Sequence, residues 1–358
     1  MDHDARRAGA LTPPRRRSGR DYDEDDVRVR PSKGTRARTK DRPLHMDAVE
    51  ATVLTVDRGR YTCLVDDGSD EERSVLAMKA RELTRGGIVV GDRVQLVGDL
   101  SGGPDSLARV VRVAPRRSTL RRTADDTDPI ERVIVANADQ LVVVTALADP
   151  EPRPRLIDRC LVAAYDAGLT PLLCLTKADL ASPDALLETY RALDVPHVVV
   201  QRGSDLGEVR GRLAGRTSVL VGHSGVGKST LVNALVPGAK RATGGVNRVT
   251  GRGRHISSSA IALRLPGRCG WVIDTPGVRS FGIAHVDLDR VIQAFPDLEA
   301  GTAACPRGCS HDEPECALDA WVAGGHADAD RLASLRRLLR SRDADEDVSD
   351  SALADGGR

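Results

Sequence analysis

The chain has 358 residues, with 53 Lys or Arg and 52 Asp or Glu, so its formal net charge at pH 7 is +1. This length allows about two or three domains. Because the charges balance, composition alone does not indicate a nucleic-acid partner. No apolar run is long enough to cross a bilayer and the N-terminus has no signal-peptide stretch, so we expect a cytoplasmic protein without membrane association.

The two ends of the chain are polar. Residues 1–45 contain the basic runs RRRSGR and RPSKGTRARTKDR, separated by the acidic run DYDEDD. Residues 343–358 are acidic and rich in glycine. Segments of this composition bury too little apolar surface to offset the entropy of ordering. We therefore predict a disordered arm and a disordered tail.

Residues 46–115 have the pattern of short β-strands. VEATVLTVD and YTCLVDD alternate in polarity on either side of a break at 57–60, which predicts a hairpin. Several short strands with Gly and Asp turns indicate a small barrel of the OB type. Such barrels often bind RNA through aromatic side chains, but only Tyr61 is available here. A purely structural barrel therefore remains the alternative.

Residues 116–133 read as a linker, and from 134 the pattern changes. Near-continuous apolar runs alternate with segments of helix length; the runs are QLVVVTAL, PLLCLTK, HVVVQ, TSVLVG and GWVIDT. Buried strands that alternate with helices are typical of a parallel α/β sheet. We assign residues 134–282 to this domain.

A phosphate-binding loop lies between the run TSVLV and the helix-length segment STLVNAL. The sequence from 222 to 229 fits the spacing GxxxxGK[ST], and this strand–loop–helix context is the one its mechanism requires. Backbone N–H groups would cradle the phosphates, Lys228 would reach the β- and γ-phosphates, and Ser229 would bind Mg²⁺. The candidate nucleotide-binding residues here are Gly222, His223, Ser224, Gly225, Val226, Gly227, Lys228, Ser229 and Thr230.

The sequence Asp-Thr-Pro-Gly follows the apolar run GWVI. Asp274 at a strand end suits the surroundings of the magnesium ion, and the Gly277 N–H could detect the γ-phosphate. By itself such a tetrapeptide can be only a turn, but its distance from the phosphate-binding loop favours the nucleotide site.

A second tetrapeptide, Thr176-Lys177-Ala178-Asp179, follows the run PLLCL. Asp179 could accept hydrogen bonds from N1 and N2 of guanine, and Lys177 could lie over the base, although Lys-x-Asp is also common in loops. This tetrapeptide precedes the phosphate-binding loop along the chain, whereas in an ordinary GTPase the guanine motif follows that loop. Because the sheet edge, not chain order, determines where loops meet, a circular permutation would preserve the site.

The C-terminal segment, 283–342, predicts helices around a Cys/His cluster. Leu332, Leu335 and Leu339 lie on one face of the last helix, with Leu338 beside them, and arginines occupy its other side. The spacing Cys305-x3-Cys309-x-His311-x4-Cys316 offers three thiolates and one imidazole. This closed Cys₃His set suits one structural Zn²⁺, with unliganded reduced thiols as the alternative.

Together these motifs resemble the RsgA/YjeQ family of circularly permuted GTPases that depend on the small ribosomal subunit. The resemblance covers roughly 46–340. It implies an α/β fold comprising a circularly permuted P-loop GTPase domain, an N-terminal OB-type barrel and a C-terminal helical zinc-binding domain. It also implies GTP hydrolysis stimulated by the small ribosomal subunit, contacts with its rRNA, and a role in late subunit maturation.

Switch I departs from the family pattern. NRVTGRGRHISSS, from 247 to 259, resembles G-x-G-x-H-T-T-T, with Ile256 in place of the first Thr and Ser257 and Ser258 in place of the next two. Either serine hydroxyl could serve Mg²⁺. Val278 follows the Asp-Thr-Pro-Gly motif, where many GTPases have a water-orienting Gln, and the resemblance suggests His255 for that catalytic role.

We therefore expect a monomeric GTP hydrolase that binds GTP and GDP with Mg²⁺. Arg248, Arg252 and Arg254 and the basic arm would add phosphate contacts with rRNA. One alternative is a nucleotide-gated RNA-binding module whose hydrolysis is incidental. Another is an ATP hydrolase in which the match at Asp179 is accidental.

Overall fold

A computed structural model gives the structure of the protein. The described residues are 45–81, 83, 87–103, 105–123, 131–239, 260–275 and 286–341. Four predicted features lie outside them: the arm up to residue 44, the tail, switch I with His255, Ser257 and Ser258, and Gly277 of the second phosphate motif.

The first five strands form a closed barrel. They are β1 (Val49–Asp57), β2 (Arg60–Val65), β3 (Arg73–Lys79), β4 (Arg93–Gly98) and β5 (Ala108–Val113). Their order is β1-β2-β3-β5-β4, and pairing of β4 with β1 closes the barrel. The predicted hairpin turn lies at Arg58 and Gly59, which both have positive φ. The alternating apolar side chains of these strands, such as Val53, Cys63 and Val75, are fully buried inside.

The predicted linker contains a strand. β6 (Thr119–Thr123) pairs antiparallel with β7 (Glu131–Ala136). Leu120 and Val135 lie in register and are almost fully buried in the main hydrophobic core. Burial of these two apolar side chains explains why a segment that begins with basic residues is ordered into a ribbon.

A second group of six strands forms the α/β sheet. They are β8 (Gln140–Ala146), β9 (Thr170–Thr176), β10 (His197–Val199), β11 (Thr217–Val221), β12 (Ile261–Arg264) and β13 (Trp271–Asp274). The order is β10-β9-β8-β11-β13-β12, and every neighbouring pair is parallel except β13 with β12. Every residue of β8 is buried, which accounts for the continuous apolar runs of the sequence.

Four helices cover this sheet within the described part of the chain, namely α1 (Pro154–Asp166), α2 (Asp184–Tyr190), α3 (Gly207–Leu213) and α4 (Lys228–Leu235). Four more follow in the C-terminal segment, namely α5 (Leu288–Ile292), α6 (Pro296–Glu299), α7 (Ala317–Ala323) and α8 (Ala329–Arg340). No described helix is both long enough and apolar enough to span a bilayer.

Helix α8 joins the C-terminal segment to the α/β sheet. The three predicted face leucines and the neighbouring Leu338 are buried in the same hydrophobic core as residues of α1, including Ile157 and Leu161. The Asp328 side chain caps the helix by accepting hydrogen bonds from the N–H groups of Asp330 and Arg331, at 2.7 and 3.3 Å. The C-terminal helices therefore pack directly on α1.

The barrel contacts the α/β sheet through β12. β12, the strand that follows switch I, pairs with β1 through Ile261 and Thr55. Arg264 of β12 forms ion pairs with Asp67 and Glu72 of the β2–β3 loop. These contacts connect the barrel with the sheet at the strand that directly follows switch I in the sequence.

Candidate functional site

The sheet order creates a crevice between β8 and β11. From β8 the chain proceeds outward through β9 to β10, and it then returns to β11 on the other side of β8 and proceeds to β13. Connections leave the carboxyl ends of β8 and β11 toward opposite sides of the sheet, and ligands of open α/β sheets bind at such a switch point. The phosphate-binding loop follows β11 and therefore lies at this crevice.

Glycines determine the shape of the phosphate-binding loop. A β-carbon on Gly222 would lie 2.4 Å from the carbonyl oxygen of Val144, so only glycine allows the two strands to approach this closely. Gly227 has a φ of +89° and is the N-cap of α4. The unpaired N–H groups of the first turn of α4 therefore face the loop, as anion binding requires. The ring of His223 contacts the carbonyl oxygen of Ser224 at 2.9 Å.

Lys228 and Asp274 meet in the crevice. The Lys228 ammonium forms an ion pair with the Asp274 carboxylate, and it also lies 3.3 Å from the carbonyl oxygen of Thr275. The two charged side chains are only 12% and 4% exposed. The Thr275 hydroxyl donates to the carbonyl oxygen of Leu220 at 2.8 Å and so attaches the second phosphate motif to β11.

The same two motifs supply the expected Mg²⁺ ligand Ser229 and the carboxylate expected near the ion. Ser229 follows Lys228 in the first turn of α4, and Asp274 ends β13, the neighbour of β11. A serine hydroxyl is a hard oxygen donor of the kind that Mg²⁺ binds, and the ion takes further ligands from phosphate and water. The Asp274 carboxylate suits the surroundings of the ion. The donor set of these residues therefore fits Mg²⁺ bound with a nucleotide.

The guanine motif is bonded directly to the phosphate-binding loop. Thr176 is 6% exposed, and its hydroxyl donates to the carbonyl oxygen of Val226 at 2.6 Å. Lys177 has a φ of +60°, and Ala178 and Asp179 follow it at the carboxyl end of β9, where the Asp179 side chain is exposed. Two motifs whose order along the chain is reversed are therefore in direct contact.

Thr176→Val is expected to weaken guanine-nucleotide binding by about threefold to tenfold. Valine keeps the shape of threonine but removes the hydroxyl bond to Val226, and one such bond contributes about 0.5–1.5 kcal/mol. The dissociation constant of a fluorescent GDP measures this change. Thr176→Ser keeps the hydroxyl and is expected to bind like the unaltered protein; equal weakening in both variants would contradict the assigned role of this bond.

The loop between β8 and α1, residues 147–153, forms a further wall of the crevice. The Lys177 ammonium donates to the carbonyl oxygen of Asp149. Pro150 lies over the phosphate-binding loop, since a β-carbon on Gly225 would be 3.5 Å from its Cδ. No motif in the sequence identifies this loop. Its only signal is three prolines in six residues directly after a buried strand, at 149–154.

The Cys/His cluster forms a compact donor set. The ligand atoms of Cys305, Cys309, His311 and Cys316 all lie within 4.8 Å of one another. Cys305 Sγ is 3.8 Å from His311 Nδ1 and 4.0 Å from Cys316 Sγ. For Zn–S bonds of about 2.3 Å, tetrahedral geometry requires separations of about 3.8 Å between sulfur atoms. The predicted spacing therefore produces a Cys₃His group that fits Zn²⁺.

Neighbouring side chains hold the loop that carries this group. Glu313 accepts from the Ser310 N–H at 2.9 Å, and Arg336 of α8 donates to the carbonyl oxygen of His311 at 2.8 Å. Burial lowers the pKa of His311 and so favours the neutral imidazole that binds metals. Arg340 of α8 forms a bidentate pair with Asp312, with both distances 2.7 Å. These contacts attach the metal-binding loop to α8.

A family model and several known proteins that are similar to this chain all carry the same family name. A family model described as RsgA GTPase matches residues 113–284. A Pseudomonas aeruginosa protein named small ribosomal subunit biogenesis GTPase RsgA is 42% identical over 264 residues, which cover 71% of this chain and 76% of that protein. A protein of the same name from Azotobacter vinelandii is 41% identical over the same length, covering 71% and 75% of the two chains.

Two solved structures are similar in fold. YjeQ from Thermotoga maritima has a TM-score of 0.61 with 26% identity, and the match covers 84% of this chain and all of that one. YloQ, described as a circularly permuted GTPase, has a TM-score of 0.59 with 22% identity and coverage of 84% and 98%.

Proposed function

The chain belongs to the RsgA GTPase family, and from this premise we propose that it binds the small ribosomal subunit and hydrolyses GTP during late maturation of that subunit. Its enzymatic class is GTP hydrolase. The names of its relatives support a role in biogenesis of the small subunit.

One observation carries the assignment to this nucleotide. The hydroxyl of Thr176 in the guanine motif is bonded to Val226 of the phosphate-binding loop, 2.6 Å away. A base held by Asp179 and phosphates held at the N-terminus of α4 would then belong to one ligand. Lys228 would contact the β- and γ-phosphates, Ser229 would ligate Mg²⁺, and Gly277 would contact the γ-phosphate.

The choice of base depends on Asp179 in this proposal. Its carboxylate accepts from the N1–H and the 2-amino group of guanine, and adenine offers neither donor. Asp179→Asn replaces one acceptor oxygen with an N–H donor, so the variant is expected to lose about 10²-fold or more in GTP affinity and to gain relative affinity for xanthosine triphosphate. Competition of the two nucleotides against fluorescent GDP measures this change. Unchanged preference would favour the ATP-hydrolase alternative.

Catalysis is assigned to His255 of switch I. Val278 cannot hydrogen-bond to water, so another side chain must orient the attacking water, and an imidazole can do so. His255→Ala is expected to lower subunit-stimulated turnover by about 10²-fold or more, within the usual range for general acid–base groups, while GDP affinity is unchanged. Stimulated turnover equal to that of the unaltered protein would remove His255 from the mechanism. Ser257 and Ser258 are the proposed switch I ligands of Mg²⁺.

Contacts with rRNA are assigned to the barrel, the metal-binding segment, the basic arm and the arginines of switch I. The Cys₃His group supports one structural Zn²⁺, because all four positions of a tetrahedral ion are filled by protein ligands. A ribosomal partner supports a cytoplasmic location, and we propose that the chain acts as a monomer.

The deciding experiment measures GTP hydrolysis with and without purified small ribosomal subunits, with ATP as the control nucleotide. Strong stimulation by the small subunit and no ATP turnover is the expected result. Slow turnover that subunits do not change would contradict the proposed partner. Support of subunit maturation by a variant without turnover would favour the RNA-binding module instead.

A further inference from the structure

Two consecutive polar residues of α1 are buried against the C-terminal helix α8. Asp158 is 3% exposed and Arg159 is 7% exposed, although both lie among the apolar side chains of the shared core. Arg159 Nε donates to the carbonyl oxygen of Ser341 at the end of α8, 3.2 Å away. Burying a charged group costs free energy unless a partner compensates the charge. Asp158 and Arg159 therefore need specific partners.

Arg337 of α8 is the partner of Asp158. Its Nε lies 3.2 Å from a carboxylate oxygen of Asp158, and its Nη1 donates to the carbonyl oxygen of Thr189 at 3.1 Å. Its guanidinium lies over the ring of Tyr190, 5.0 Å from the ring centroid. Arg337 thus contacts both α1 and the end of α2. Burial raises the pKa of the Asp158 carboxyl, and Arg337 acts in the opposite direction.

Tyr190 connects this cluster with the first residue of α1. Its side chain is 2% exposed, and its hydroxyl donates to the carbonyl oxygen of Pro154 at 3.0 Å. Pro154 directly follows the loop 147–153. That loop accepts a hydrogen bond from Lys177 of the guanine motif and lies against Gly225 of the phosphate-binding loop. A continuous set of contacts therefore runs from α8 to both nucleotide motifs.

We propose that Arg337, Asp158 and Tyr190 are positioning residues through which helix α8 holds the loop 147–153 against the nucleotide crevice. The proposal rests on the nucleotide site assigned above and extends it to the C-terminal segment, which also carries the Cys₃His group. Docking of α8 on α1 then strengthens binding of guanine nucleotide. By reciprocity, bound nucleotide stabilises the docking of α8.

Three variants test the proposal through the dissociation constant of a fluorescent GDP on the full chain. Tyr190→Phe removes only the hydroxyl, which bonds to Pro154 and also interacts with the Asp158 carboxylate. Arg337→Met removes the guanidinium but keeps a long side chain. Both are expected to bind GDP about fivefold to tenfold more weakly, the lower part of the usual range for coupled sites. Turnover at saturating GTP is expected to change less than the dissociation constant does.

Arg340→Met is the matched control, because Arg340 lies on the same helix and pairs with Asp312 of the metal-binding loop, not with α1. It is expected to bind GDP like the unaltered protein. The proposal would be overturned if Tyr190→Phe and Arg337→Met lowered the melting temperature but left GDP affinity unchanged. It would also be overturned if Arg340→Met weakened GDP binding as much as these two variants do. If Arg337→Met does not fold, Tyr190→Phe decides alone.

Hydrogen exchange provides a second readout that a purely structural role would not affect. GDP is expected to slow amide exchange in α8 of the unaltered protein, and to slow it less in Tyr190→Phe. No GDP-dependent change in α8 of the unaltered protein would overturn the proposal. If the unaltered chain binds no guanine nucleotide, the proposed function fails, and the inference fails with it.

Discussion

Lys228→Ala is expected to reduce GTP turnover by about a hundredfold to a thousandfold, the usual effect of removing one electrostatic group from a transition state. Lys228 is 12% exposed and lies where the phosphate-binding loop meets Asp274. Its ammonium would stabilise the charge that develops on the transferring phosphate, and low exposure to water strengthens that interaction. Steady-state release of phosphate measures the change.

Lys79→Ala is the matched control for this prediction, since Lys79 is a half-buried lysine on β3 of the barrel. Its basal turnover is expected to equal that of the unaltered protein. Thermal melting must show that Lys228→Ala remains folded. A folded Lys228→Ala protein with normal basal turnover would remove the phosphate-binding loop from the mechanism.

Cys316→Ser is expected to abolish stoichiometric binding of zinc and to loosen the C-terminal helices. Cys316 is 4% exposed and is also the N-cap of α7. Serine is a favoured N-cap residue, so the variant keeps the cap and loses mainly the thiolate ligand. Structural Zn²⁺ contributes about 10–16 kcal/mol to the folding of small zinc peptides, and loss of one ligand forfeits much of this energy.

Metal content and limited proteolysis measure this effect. The unaltered protein is expected to contain one Zn²⁺ per chain and to resist cleavage within 286–341. Cys269→Ala is the matched control, because Cys269 is exposed and lies outside the Cys₃His group. A Cys316→Ser protein that retains one tightly bound Zn²⁺ and the same protection would contradict the assigned metal site.

The arginines of α8 show one limit of reasoning from sequence. The sequence places Arg336, Arg337 and Arg340 on the polar side of an amphipathic helix. In the structure each contacts an acidic side chain of the same chain, namely Asp319, Asp158 and Asp312. A polar helix face has the same pattern whether it meets solvent or a charged partner from another helix, so the sequence cannot distinguish these two cases.

Short-range patterns in the sequence alone determined the phosphate-binding loop, the metal-binding group and most strands. Glycine spacing defined the phosphate-binding loop because few residues tolerate its backbone and close contacts. The Cys/His spacing defined the metal-binding group because its ligands lie within one short loop. Apolar runs and alternation defined the strands of the sheet and the barrel, because burial on one or both faces is a local property of a strand.

Only the tertiary structure decided which distant residues meet. The bond from Thr176 to Val226, the loop 147–153 over the phosphate-binding loop, and the burial of Asp158 against Arg337 all depend on the order of strands and the docking of α8. Contacts between segments distant in sequence follow from packing of the whole core. The sequence around one residue does not indicate which distant residue it will contact. The sequence therefore specified the motifs, and the packed structure specified how they act together.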